Sequence, residues 1–178
     1  MTEHNRPLFE GISTNPMGIR SVFQERPKKY MMLLSFAQEI LREESSLSSA
    51  DREVIAAYTS KLNGCEYCYG SHREFAASLD ATDQDLFLIE TEETENHRLS
   101  SILNYVKKLT LDPSTISNED RLLVHEAGFS DEQLKDAIAI CAAFNLFNRI
   151  VEGHGITPKD DYKEVTEMIK KHGYDRRY

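Results

Sequence analysis

The sequence predicts an all-α, single-domain helical bundle, and three observations carry that prediction. Apolar residues recur at three- and four-residue intervals through most of the chain. Helix start and stop signals frame those stretches, among them a capping box at Ser130-Asp131-Glu132-Gln133. No stretch alternates apolar and polar residues for long enough to make a convincing strand.

The elements follow in order. Residues 1–26 are punctuated by Pro7, Gly11, Pro16 and Gly18 and read as an N-terminal arm, extended or broken into turns; residues 27–178 form the helical domain. Pro27 suits the first turn of a helix whose apolar side carries Leu33, Ala37, Ile40 and Leu41, with Glu44 in line. Ser48 starts a second helix, with Asp51 as an acidic N-terminal signal. One side of it is Val54, Ile55, Tyr58 and Leu62. Another is Glu53, Ala56, Ala57, Ser60 and Gly64, small enough for a helix or a ligand to approach closely. Asn63-Gly64 ends the helix and reverses the chain into a third that bears Cys65, Cys68 and His72. Residues 80–96 are acidic around the apolar patch 86–89, which predicts a short helix and then a solvated linker. An amphipathic helix runs through Leu99, Ile102, Leu103, Val106 and Leu109 and stops at Asp112-Pro113; a short one spans Ser117 to Ala127. Leu134 to Val151 makes a long helix, apolar nearly all round through Ala137 to Phe147, that is expected to be central to the bundle. A largely polar helix from about Pro158 to Lys171 comes last.

Bulk properties narrow the function classes. With 178 residues, 40% of them apolar and 29% charged, the composition is that of an ordinary soluble globular domain. A net charge of −9 argues against nucleic acid or an anionic membrane as a partner. No apolar run reaches membrane-spanning length, and no basic-then-apolar leader opens the chain, so the expected compartment is the cytoplasm. Three cysteines make no disulfide framework, and in a reducing compartment a C-x-x-C pair points to catalysis or metal binding.

The chemistry concentrates in Gly64-Cys65-Glu66-Tyr67-Cys68-Tyr69-Gly70-Ser71-His72. On a helix, Cys65, Cys68 and His72 share one stripe. Two thiols three apart can close a disulfide across the first turn, where unpaired backbone N–H groups favour a thiolate. His72 stands one turn beyond Cys68 and can trade a proton with it. A hairpin turning at Gly64 would bring Glu53 alongside, to hold or relay the proton of His72 or of a water. Nucleophile, base and orienter are then all present. Two blander readings exist: buried cysteines acting as small hydrophobes, and a zinc site of Cys65, Cys68, His72 and Glu53. Against the first stand the polar Glu66 between the cysteines and the glycine turn before them. Against the second stands the crowding of three ligands on one short helix. Cys141, among Ile138, Ala142 and Phe144, reads as inert core; Tyr67 and Tyr69 suit a pocket or interface wall; Asn148 and Arg149 suit the end of a buried helix rather than a ligand site.

At these residues the chain resembles the alkylhydroperoxidase D-like members of the carboxymuconolactone decarboxylase superfamily, in particular the branch called peroxidase-related proteins. The family motif is a glutamate, a gap of about a dozen residues, then C-x-x-C-x-x-x-H; here it reads Glu53, then Cys65, Cys68 and His72. Leu47 to Glu53 and Ala142 to Ile150 also resemble that branch, and the likeness extends from about Pro27 to Ile156. The resemblance implies an alkylhydroperoxidase D-like helical bundle, a homo-oligomer, and a thiol peroxidase that needs no cofactor and no metal. It implies Cys68 as the peroxidatic thiol, Cys65 as the resolving thiol, and Glu53 with His72 as the proton relay. The substrate would be a small hydroperoxide and the reductant an external dithiol, thioredoxin-like or lipoyl-bearing. The best-known alkylhydroperoxidase D enzymes have a second histidine where this chain has Tyr67, and the decarboxylases of the superfamily lack the dithiol. Two rival functions stay open: a general thiol–disulfide oxidoreductase, and a non-enzymatic oligomer in which the pair is a redox switch or a zinc clip.

Overall fold

A computed structural model of the protein describes residues 8–9, 11–12, 17–91 and 98–174. Among these residues there are nine α-helices, one 3-10 turn and no strand. The helices are α1 (Ile19–Glu25), α2 (Pro27–Arg42), α3 (Ser49–Leu62), α4 (Glu66–Ser78), α5 (Asp83–Thr91), α6 (Ser100–Leu111), α7 (Asn118–Glu126), α8 (Asp131–Gly153) and α9 (Lys163–His172). None of them is long and apolar enough to cross a membrane.

The local signals act as expected at most boundaries. Ser48 accepts a hydrogen bond from the Asp51 amide at the head of α3. Ser130 and Gln133 close a reciprocal capping box at α8, and Ser117 with Asp120 closes a second one at α7. Pro27 occupies the first turn of α2. Gly64 takes φ +67° between α3 and α4, a conformation that costs a side-chain-bearing residue most.

Four expectations change. The arm contains α1, because Ile19, Val22 and Phe23 recur at helical spacing and Val22 and Phe23 are buried; most of residues 1–16 lies outside the described residues. On α2 the buried stripe is Leu34, Ala37 and Leu41, so it is turned by about one residue from the Leu33–Ile40 side, and Glu44 lies past the helix end. The last helix starts at Lys163 rather than Pro158. Tyr162, which packs its ring against Gly70 and takes the Lys159 amide on its hydroxyl at 3.0 Å, holds the preceding segment in a turn. The most fully buried helix is α3 rather than α8. Residues 51–60 of α3 are all buried, packed by α2, α4, α5, α6 and α8, whereas α8 leaves Ala142, Leu146 and Arg149 exposed. Small side chains let neighbours approach α3 from every side, so its burial exceeds what its apolar content suggests. The acidic linker expected after α5 falls on residues 92–97, outside the described residues.

Candidate active site

The α3–α4 hairpin positions the core of the site. Glu53 lies one turn into α3 and is fully buried. Cys65 caps the N-terminus of α4, its amide donating to the Ser60 carbonyl at 3.0 Å, and is also fully buried. Cys68 occupies the third position of α4, at the positive end of that helix. His72 follows one turn later. Both Cys68 and His72 line a cavity of about 90 Å³, whereas Cys65 and Glu53 do not. The cavity walls are mostly apolar and come from α1, α2, α4, α8 and α9: Ile19 and Phe23, Leu34 and Leu41, Phe75, Phe144 and Phe147, Val165 and Ile169. Tyr67 forms part of the same wall, and its hydroxyl accepts the Ile19 amide at 3.4 Å.

Behind His72 the surroundings are polar and largely buried. Glu53 Oε2 lies 2.6 Å from His72 Nδ1. Its other oxygen, Oε1, accepts from the Tyr174 hydroxyl at 2.7 Å and meets Arg42 Nη2 at 2.5 Å. Burial works to raise the Glu53 carboxyl. His72, Arg42 and the Tyr174 hydroxyl outweigh it, and the group is held below its ordinary range. Burial and the neighbouring carboxylate push the Tyr174 phenol well up, so it stays a neutral donor. An ionised carboxylate can only accept, so Nδ1 of His72 carries a hydrogen and Nε2 is the nitrogen left for chemistry. The ring is fixed edge-on by Phe75 and Phe144, at centroid distances of 5.1 and 4.5 Å.

The two thiols differ. Hydrogen bonding to Cys68 and then burial push the Cys65 thiol far above the ordinary cysteine range. Cys65 is thus a protonated thiol set behind Cys68, while Cys68 borders the cavity. Both are free thiols. Among the described residues no group of three His, Cys, Asp or Glu side chains is arranged to hold a metal ion.

The structure therefore brings all four expected residues to one place but sorts them. Cys68 and His72 face the cavity, Cys65 lies beneath Cys68, and Glu53 braces His72 from behind without reaching the cavity. Sequence reasoning missed Arg42 and Tyr174, which come from the end of α2 and from beyond α9; no motif spacing links residues 42, 53 and 174. Tyr69 is outside the cavity wall, with Lys61 Nζ 4.7 Å from its ring. Asn148 is structural: its amide donates to Ser60 Oγ at 3.0 Å and its oxygen accepts from Asn63 at 2.9 Å, tying α8 to the end of α3. Arg149 turns back to the Asn145 carbonyl at 2.6 Å. Cys141 is buried beside Thr110, as expected of core.

Comparison with known proteins agrees with this architecture. The carboxymuconolactone decarboxylase family model matches residues 27–95, a stretch that contains α2 to α5 and so the dithiol helix. A Bacillus subtilis (strain 168) protein described as uncharacterized protein YdfG is 25% identical over 122 residues, covering 67% of this chain and 83% of its own. A Ralstonia eutropha JMP134 structure, described as an alkylhydroperoxidase D core and peroxidase-related protein, superposes with a TM-score of 0.73 at 23% identity. It covers 79% of this chain and 76% of that one. A peroxidase-related protein from Silicibacter sp. TM1040 gives a TM-score of 0.72 at 22% identity, covering 91% of this chain and 97% of its own. The dithiol hairpin, the family match that contains it and the shared helical architecture converge: the chain has the alkylhydroperoxidase D-like helical fold and is similar to the carboxymuconolactone decarboxylase family over residues 27–95.

Proposed function

We propose that the protein is a thiol peroxidase that reduces small hydroperoxides with the Cys65–Cys68 dithiol. The observation that carries this reading is the sorting of the two sulfurs: Cys68 shares the cavity with His72, and Cys65 waits in contact behind it. The names of the structural neighbours point the same way, since two of them are described as peroxidase-related.

In the proposed cycle His72 Nε2 takes the Cys68 proton, and the thiolate attacks the distal oxygen of the hydroperoxide. The O–O bond breaks, the sulfur gains a hydroxyl as sulfenic acid, and His72 returns the proton to the leaving alkoxide, giving an alcohol. Cys65 then attacks the sulfenic sulfur; its proton leaves with the hydroxyl as water, and a disulfide remains. Two electrons from an external dithiol, thioredoxin-like or lipoyl-bearing, reopen it by thiol–disulfide exchange. Glu53 stays ionised and holds His72 in the tautomer that this exchange of one proton needs. Assembly as a homo-oligomer and a cytoplasmic location belong to the same reading.

The test is hydroperoxide consumption with a dithiol reductant in excess. Cys68→Ser is expected to abolish turnover, and Cys65→Ser, with the reductant left out, to reduce one equivalent of peroxide and stop at the Cys68 sulfenic acid. Wild-type turnover in Cys68→Ser would remove the assignment, and rapid reduction of disulfides with no peroxide consumption would turn it into a thiol–disulfide oxidoreductase.

A further inference from the structure

We propose that Tyr174 is a positioning residue of this site: its hydroxyl, donated to Glu53 Oε1, fixes the carboxylate that in turn fixes the ring and tautomer of His72. The role rests on the peroxidase reading for its catalytic consequence, and on the hydrogen-bond geometry alone for its structural one.

The two oxygens of Glu53 have divided duties. Oε2 is given to His72 at 2.6 Å; Oε1 is shared by Tyr174 at 2.7 Å and Arg42 at 2.5 Å. The terminal torsion of a glutamate is soft, so a carboxylate gripped on one side only can swing. Tyr174 supplies the second grip. Its ring is itself confined. It lies nearly parallel to the His72 ring, 11° apart with centroids 6.2 Å from each other, and the Arg42 guanidinium stands 4.9 Å from the ring centroid on α2.

Residue 174 is held by its backbone as well. Its amide donates to Gln38 Oε1 at 2.8 Å, and its carbonyl accepts from Arg20 Nη2 at 3.3 Å. Gly173 makes the turn at φ +70°, where a Cβ would come within 2.2 Å of Gln38 Oε1. Segments just past a final helix ordinarily fray. Here α1, α2 and α4 all contact one residue, and the contact that reaches furthest inward is a hydroxyl on a buried carboxylate. A tyrosine serving only as a plug would have no need of that hydroxyl.

The charged and titratable groups facing Glu53 are His72 from α4, Arg42 from α2, Tyr174, and Arg52 on its own helix, whose guanidinium is committed to the Ile40 and Glu43 carbonyls. Of the donors to the carboxylate, Tyr174 is the one that can lose its hydrogen bond by the deletion of a single oxygen.

The experiment is Tyr174→Phe in the full chain, which keeps the ring and removes the O–H. The expected result is a loss of about ten- to a hundredfold in kcat/KM for a hydroperoxide, carried by kcat. The acid limb of the pH profile moves to higher pH, because Glu53 has lost one of the donors that keep it ionised. The Glu53 carboxyl resonance, assigned in a 13C titration by its disappearance in Glu53→Gln, titrates at higher pH as well. Fluorotyrosine at position 174, a stronger donor, shifts both the other way. The titration needs no turnover: a wild-type protein inactive on peroxides would end the peroxidase reading and still leave the Tyr174 contact to be judged. An unmoved Glu53 titration in Tyr174→Phe overturns the proposal. So does a loss of activity with an unmoved pH profile, which would make the tyrosine packing alone.

Discussion

The two sides of the His72 imidazole differ as much as any two regions of this molecule. On the Nδ1 side stand a buried carboxylate, a guanidinium and a phenol within hydrogen-bonding distance of one another. On the other side is a small cavity walled chiefly by Phe23, Leu34, Phe75, Phe144 and Phe147, with Cys68 at its edge and the Tyr174 ring shared between the two sides. The difference teaches how the labour is divided. Fixed charges set the protonation geometry from behind, on a carboxylate that is fully buried. The reacting face is mostly apolar, which suits an organic hydroperoxide and makes any charge that develops there interact strongly with His72. The polar side consumes hydrogen-bonding capacity; the apolar side has little to spare.

The largest effect should come from breaking the polar side at its centre. Glu53→Gln removes the charge but keeps the size. A neutral amide cannot accept from three donors as a carboxylate does, and the Arg42 guanidinium, largely buried, loses its counter-charge. Leaving a buried charge uncompensated costs about 3–5 kcal/mol, readable as a drop in urea unfolding free energy at pH 7. The pH dependence has a definite sign. Because the folded Glu53 carboxyl is depressed, its stabilisation is fully present above the ordinary glutamate range, about 4.3, and is lost as pH falls through the lower folded value. The stability gap between wild type and Glu53→Gln should therefore close in acid. A gap independent of pH would mean that Glu53 stabilises by shape and not by charge.

The same contrast separates what the sequence revealed from what it hid. Cys65, Cys68, His72 and Glu53 are legible because they sit on two consecutive helices joined by a tight glycine turn, so sequence spacing is almost spatial spacing. The capping serines and the Gly64 turn were legible for the same reason: they act within four residues. Arg42 and Tyr174 were hidden, since an arginine at a helix end and a tyrosine past a last helix are common and become meaningful only when three distant segments meet. The fuller burial of α3 was hidden too. Periodicity measures how apolar a helix is, and α8 won on that measure; burial depends on how closely neighbours can come, and the alanines and serine of α3 let them come closer. α1 was masked by the glycines and prolines around a single apolar turn.

A smaller effect should follow from altering the apolar side. Phe144 is buried, lines the cavity and presents its ring to that of His72 at 4.5 Å. Phe144→Ala enlarges the cavity and removes that edge-on contact. The stability loss should be about 3 kcal/mol by urea unfolding, the low end for a buried phenylalanine because the site already borders a cavity that can partly relax. On the peroxidase reading, the ratio of kcat/KM for a bulky aryl hydroperoxide to that for hydrogen peroxide should rise. An unchanged ratio would show that substrate does not enter this cavity.

The smallest effect belongs to the one cysteine outside the contrast. Cys141 is buried in α8, 3.2 Å from Thr110 Oγ1 and 3.6 Å from Asn145 Nδ2, and burial pushes its thiol up. It lines no part of the His72 cavity. A raised, enclosed thiol is a poor nucleophile, so its contribution should be packing only. Cys141→Ala should cost about 1 kcal/mol, the small cavity of one lost sulfur, and leave peroxide turnover unchanged. Brief alkylation of the reduced native protein should label the same sites in this variant as in wild type, with Cys68 first. After denaturation the count should fall from three thiols to two. Loss of a rapidly labelled thiol on replacing Cys141 would mean that access to sulfur in this fold is not governed by the cavity, and the contrast between the two sides of His72 would lose its chemical meaning.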